Sequence, residues 1–176
     1  MSKANKTLQD ITIRTELAPG DLSFAIYRQA KLYSEEYNFG IAFESYALAG
    51  MHEFCTTYDP EKDRVWVCED DGNIIGFVLL MHREKNGSQL RYFYIDSAYR
   101  GIGLGKKLMQ LFVDYHNEKG YDYSYLWTTA ELDSAISLYV RFGFELTEEK
   151  QTNAFGRLVT ERRYELNNNT RRPAGV

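Results

Sequence analysis

The chain has 176 residues, of which 44% are hydrophobic and 26% charged, and a formal net charge of −4 at pH 7, which fits one domain with a substantial core. The acidic balance argues against nucleic acid as the main partner, because phosphate backbones select basic surfaces. No apolar run approaches the roughly 20 residues of a membrane span, and Met1-Ser-Lys-Ala-Asn-Lys6 lacks the apolar core of a signal peptide, so a cytoplasmic protein with no nucleic-acid or membrane partner is expected.

In chain order, residues 1–10 read as a flexible leader, 11–166 as one folded domain and 167–176 as a polar, disordered tail. Ile11 to Glu16 alternates as a strand does. Asp21 follows Pro19-Gly20 as a helix N-cap, ahead of a helical pattern through Leu22, Ala25, Ile26, Gln29, Leu32 and Tyr33. The pattern breaks near Tyr37 to Gly40, and a second helix runs from Phe43 to Thr57, closed by Asp59-Pro60. Cys55 and Cys68 are too far apart for a C-x-x-C site and lie in apolar patterns, as buried free thiols do. The period then changes to that of strands. Arg64–Glu69 and Asn73–Arg83 are joined by the hairpin signal Asp70-Asp71-Gly72, and Asn86-Gly87 turns into a strand from Gln89 to Ile95.

Three glycines, Gly101, Gly103 and Gly105, separate that strand from a helical pattern in which Leu104, Leu108, Leu111, Phe112 and Tyr115 share one face. Glycine lets the backbone turn sharply and approach a ligand. The first amides of a helix lack partners and carry the positive end of its dipole. With Arg100 in front and Lys106 and Lys107 behind, the stretch reads as a phosphate cradle at a helix N-terminus. A P-loop needs different spacing and a Ser or Thr where Lys107 stands. The dinucleotide fingerprint needs glycine in place of Lys106 and an acid where Thr128 and Thr129 stand.

Gly120 ends the helix and Tyr121–Thr128 is the next strand, so the unit demands a parallel, right-handed crossover. Asp133 caps a short helix through Ala135, Ile136, Tyr139 and Phe142, stopped by Gly143. Phe144–Thr147 and Leu158–Leu166 are the last strands, around a loop at 151–156.

The loop matches [QR]-x-x-G-x-[GA] at Arg100, Gly103 and Gly105, and Ala135 to Phe144 carries A-x-x-x-Y on a short helix ending in Gly-Phe. These two motifs, with the element order over 11–166, resemble the GNAT superfamily of N-acetyltransferases. Leu32–Tyr37, Leu126–Thr129 and Asn153–Gly156 look similar to the acetyltransferase half of MarR-type regulator fusions, although no helix-turn-helix precedes them here. The resemblance implies an α/β (α+β) fold with a mixed, mostly antiparallel central sheet of about six to seven strands. Helices would cover both faces, and one parallel strand pair would splay. It further implies an enzyme, an acyltransferase that moves the acetyl group of acetyl-CoA directly to a primary amine of a small molecule, amino acid or peptide, with no metal. The alternative is a non-enzymatic acyl-CoA sensor of the same fold. Homodimers are common in such folds.

By the same resemblance, pantetheine lies along Phe93, Tyr94 and Ile95, and the pyrophosphate on Arg100, Gly101, Ile102, Gly103, Leu104, Gly105 and Lys106. Tyr139 is the general acid for the leaving thiolate, since a phenol stays protonated at neutral pH. Acceptor contacts fall to Tyr33, Glu36 and Phe155, where acids beside aromatics suit a cationic amine. One departure stands out. Leu132 occupies a place where the family often has asparagine, so that contact is expected from Thr129 or Ser134. The general base is not legible: Gln89 to Ile95 holds no acid, which leaves Glu35, Glu36, Glu84, Glu131 or ordered water. An RNA-binding reading of Arg141-Phe-Gly-Phe144 fails because Phe142 stands where the motif needs glycine. Tyr121, Tyr123, Tyr125 and Trp127 on one strand face fit a packed core as well as stacked bases.

Overall fold

Apolar residues run almost unbroken through Arg64–Asp70 and Asn73–Arg83, a pattern that requires cover on both faces of a sheet. The computed structural model, which describes residues 6–168, supplies that cover. Its strands are β1 (Thr12–Arg14), β2 (Arg64–Asp70), β3 (Asn73–Arg83), β4 (Gly87–Ile95), β5 (Tyr123–Thr129), β6 (Glu145–Thr152) and β7 (Val159–Asn167). They form one sheet in the order β1-β2-β3-β4-β5-β7-β6. Every neighbouring pair is antiparallel except β4 with β5. The mixed, mostly antiparallel sheet expected from the sequence is therefore present, with seven strands.

Alternate residues of the central strands feed two cores. Val65, Val67, Phe77, Leu79 and Met81 pack under α1 (Asp21–Tyr37) and α2 (Ile41–Thr57). Trp66, Cys68, Val78 and Leu80 pack under α3 (Leu104–Lys119) and α4 (Asp133–Arg141), where Leu108, Met109 and Phe112 are fully buried. At ~25 cal/mol per Å² of apolar area removed from water, this double burial is the main source of stability.

Several expectations need correction. Asp21 is the first residue of α1 rather than its cap; Gly20 caps the helix at φ 100°. The Asp21 carboxylate instead accepts from the Ala18 amide at 2.6 Å and from Arg14 at 2.7 and 2.8 Å, tying β1 to α1. Asp133 is likewise inside α4, with Leu132 at the cap. The second hairpin turns one residue early: Lys85 and Asn86 both have φ 54°, and the Gly87 amide donates to Glu84 at 3.1 Å. Cys68 is buried but Cys55 is exposed, on the outer side of α2. β6 continues to Thr152 although it is almost entirely exposed and polar. Cross-strand pairs hold it, Arg162 to Glu149 at 2.7 Å and Lys150 to Glu161 at 3.6 Å, so it has no apolar alternation to read. Of the expected leader, Leu8–Asp10 forms a 3-10 turn closed by a Thr7–Asp10 capping box. Of the expected tail over 167–176, Asn167 ends β7 and Asn168 donates to the carbonyls of Asp122 and Tyr121; residues 1–5 and 169–176 lie outside the described residues.

Candidate active site

The parallel pairing of β4 with β5 covers only Gly87–Tyr123, Ser88–Ser124 and Gln89–Tyr125. Beyond Gln89 the two strands no longer bond to each other, and clefts open between them. The cause lies partly in β4 itself. From Phe77 to Leu79 the partner positions run from Tyr94 to Arg91, so β4 carries one extra residue there. This is a β-bulge, which bends its strand and locally breaks the ladder. Tyr92, inside it, has φ 55°, held by a hydrogen bond from its hydroxyl to the Ala47 carbonyl at 2.8 Å. As a result Arg91 and Tyr92 both face α2, while Phe93 and Ile95 face α3 and α4.

An outer cleft of about 550 Å³ runs from the glycine loop to Tyr139. Of the predicted site residues, Phe93, Ile95, Arg100, Gly101, Gly105, Tyr139, Tyr33 and Glu36 line it. Tyr94 turns the other way, its hydroxyl accepting from Arg28 of α1 at 2.8 Å, which leaves only its main chain for a ligand. Leu104 is in the core at 1% exposure, so its side chain is not part of the cleft. Gly103 caps α3 at φ 92°, a conformation that glycine adopts without strain. No side chain caps α3 and its first turn contains no acid. Its free amides therefore meet the requirements of an anion site. Ile102 packs on the core and Lys106 is exposed just inside the helix. Arg100 pairs with Glu36 of α1 at 2.9 Å across the mouth, placing Glu36 on the glycine-loop side of the cleft. Ser134, one of the two expected substitutes for the missing asparagine, lines this cleft.

An inner cleft of about 100 Å³ continues past Tyr139, sharing Tyr33, Phe93, Leu132 and Tyr139 with the outer one. The loop after β6 closes it. Phe155 is buried against Phe39, Phe43 and Tyr46 with ring centroids 5.2 to 5.5 Å apart, and its carbonyl accepts from the Gly40 amide. Tyr139 is 6% exposed and packs between Phe93 and Phe144, its ring tilted against both. Burial pushes its phenol far up, with a smaller push from Tyr33; burial also raises Tyr33, to about 12. Both therefore stay protonated at neutral pH. Thr129, the other expected substitute, lines the inner cleft instead.

Glu35, Glu84 and Glu131 do not line the inner cleft, whereas Arg91, Tyr46, Trp127 and Glu161 do. Sequence reasoning passed over Glu161. The available signal was its place two residues after Val159, an inward position of β7 where an acid is unusual.

Residues 26–144 match the family described as "Acetyltransferase (GNAT) family". The chain is 34% identical over 126 residues to the uncharacterized N-acetyltransferase YjgM of Escherichia coli, covering 69% of this chain and 75% of that protein. Among solved structures it is similar to a GNAT-family acetyltransferase of Staphylococcus aureus, with TM-score 0.70, 23% identity and coverage of 89% of this chain and 98% of that one. It is also similar to yncA of Salmonella typhimurium, described as a structure with its cofactor acetyl-CoA, with TM-score 0.65, 20% identity and coverage of 90% and 94%. The fold is one shared with known acetyltransferases. The chain is a member of the GNAT acetyltransferase family.

Proposed function

We propose that the protein is an N-acetyltransferase that passes the acetyl group of acetyl-CoA, its acyl donor, directly to a primary amine. The observation that carries this reading is the place of Tyr139: a buried, protonated phenol where a cleft of about 550 Å³ meets one of about 100 Å³. The first suits a long nucleotide thioester and the second the reactive end of a small acceptor. The α3 amides with Arg100 hold the pyrophosphate. The stretch of β4 from Phe93 to Ile95, which has lost its pairing with β5, offers main-chain groups to the pantetheine amides and a donor to the thioester oxygen, where charge develops in the transition state. Tyr139 protonates the departing thiolate. Tyr33 and Phe155 wall the acceptor.

Two measurements test this. Coenzyme A and acetyl-CoA at millimolar concentration should each raise the melting temperature, because a ligand bound only by the folded state stabilises it by RT ln(1 + [L]/Kd). A screen of primary amines should then release free thiol from acetyl-CoA. No shift with either ligand defeats the reading; a shift with no release from any amine turns it into an acyl-CoA sensor.

A further inference from the structure

Two side chains of opposite charge line the inner cleft, and the reading above uses neither. Arg91 comes from the bulge in β4. Its guanidinium lies over α2 at Gly50, where any Cβ would stand 2.0 Å from a guanidinium nitrogen, and it donates to Glu53 at 3.2 Å. Glu53 also takes Arg83, so two cations share one carboxylate and this wall keeps a net positive charge. The Arg91 side chain is only 12% exposed. A poorly matched charge away from water is costly, so a complementary anion is favoured there.

Glu161 stands on β7 opposite Thr129 of β5. Its side chain is 10% exposed and pairs with the exposed Lys150 of β6 at 3.6 Å. Burial raises its pKa, Lys150 draws it down and Glu148 of β6 pushes it up; a raised pKa makes a carboxylate a better proton acceptor. Beside it the Thr129 hydroxyl is buried without a hydrogen-bond partner. Tyr46 of α2 lies within reach of both charges. Burial raises that phenol, Arg91 lowers it and Glu161 raises it.

We infer that the acceptor is a small zwitterion, a primary amine that also carries a carboxylate, with the carboxylate on Arg91 and the ammonium on Glu161, which serves as the general base. This rests on the acetyltransferase reading. A cation alone would satisfy Glu161 and leave Arg91 with only its share of Glu53. The cleft of about 100 Å³ has the room of roughly three waters at ~30 Å³ each, enough for the head group of an amino acid. A larger acceptor must extend out past Phe155.

Glu161 takes one proton from the ammonium, leaving a neutral amine. The amine lone pair forms the C–N bond to the thioester carbonyl, whose π electrons move to oxygen. Collapse breaks the C–S bond; sulfur leaves with its electron pair and takes the Tyr139 proton. The remaining excess proton on nitrogen returns to the Tyr139 phenolate, and Glu161 releases its own to water. The products are the N-acetylated zwitterion, free coenzyme A and one proton.

The test compares matched acceptors: alanine with ethylamine, phenylalanine with phenethylamine, lysine with cadaverine. The amino acid should lead in kcat/KM by about 10- to 100-fold, the worth of one charge-assisted contact, in at least one pair, and Arg91→Met should remove that lead. Glu161→Gln should lower kcat at pH 7 by roughly 10²–10⁴-fold. That defect should shrink as pH nears the amine's own pKa, where no base is needed, and Glu161→Asp should restore part of the rate. Melting scans with acetyl-CoA on every variant separate the outcomes. If the wild type shows no shift, the acetyltransferase reading itself fails. If the shift is intact, the zwitterion inference alone fails on any of three results: equal or better decarboxylated amines in every pair, no turnover of either set, or a Glu161→Gln loss that is absent or the same at all pH values.

Discussion

At the scale of single residues, Tyr139 could be singled out from the sequence because its surroundings are local: the helix spacing and the Gly-Phe stop lie within ten residues of it. The structure adds the burial that keeps the phenol protonated. Tyr139→Phe keeps the ring and its contacts with Phe93 and Phe144 and removes only the proton. Turnover should fall roughly 10²–10⁴-fold if acid catalysis limits the rate, with the acetyl-CoA melting shift unchanged. An unaltered kcat would transfer the acid role to water. Arg91 and Glu161 stood out far less, for the opposite reason. Arg91 reaches the cleft through a bulge at a tyrosine with φ 55°, where a glycine would have announced the kink. Glu161 meets Thr129 across a strand pair 32 positions away in sequence.

At the scale of elements, α3 and its glycine approach were readable because a helix start, a positive-φ cap and flanking cations follow one another along the chain. What the sequence did not show is that α1 reaches over the mouth, where Glu36 holds Arg100. The side chains are 30% and 44% exposed, and such pairs contribute about 0–1 kcal/mol. If Arg100 holds the pyrophosphate as proposed, the pair is easily exchanged for it. Glu36→Gln should tighten coenzyme A by no more than about fivefold, since 1 kcal/mol is worth about that much. Arg100→Glu should abolish the melting shift. Unchanged affinity in Arg100→Glu would mean that the α3 amides bind the anion unaided. The glycine cap can be tested separately: Gly103→Ala forces a Cβ into φ 92° and should cost ~1–2 kcal/mol of unfolding free energy, measured by urea titration without ligand. Polar edge strands such as β6 and the one-residue shift of the β3–β4 turn escaped sequence reading because cross-strand ion pairs and turn twist, not apolar period, set them.

At the scale of the molecule, two cores on opposite faces of one sheet follow from the nearly unbroken apolar runs of β2 and β3, whereas the insertion of β7 between β5 and β6 depends on long-range pairing that no local pattern encodes. The second core encloses a titratable group with a global consequence. His116 of α3 is fully buried, its Nδ1 2.7 Å from the Ser124 hydroxyl of β5, and burial lowers its pKa below the usual 6.5. Below pH 6.5 the unfolded chain binds a proton that the folded chain refuses. Stability therefore rises with pH across this window and is lost as pH falls through it, by at most ~1.4 kcal/mol per pH unit for one proton. Glu161 acts with the opposite sign: its folded pKa is raised, so its share of stability is present in acid and disappears as pH rises through that raised value. The two groups partly cancel in the wild type, and the difference between variants isolates each. His116→Gln should flatten the dependence between about pH 4.5 and 6.5, and Glu161→Gln should steepen it, both read from urea midpoints at half-unit steps. A His116→Gln curve parallel to the wild type would show that the imidazole protonates inside the fold, and would place the acid sensitivity in the carboxylates that hold Arg14, Arg83 and Lys6.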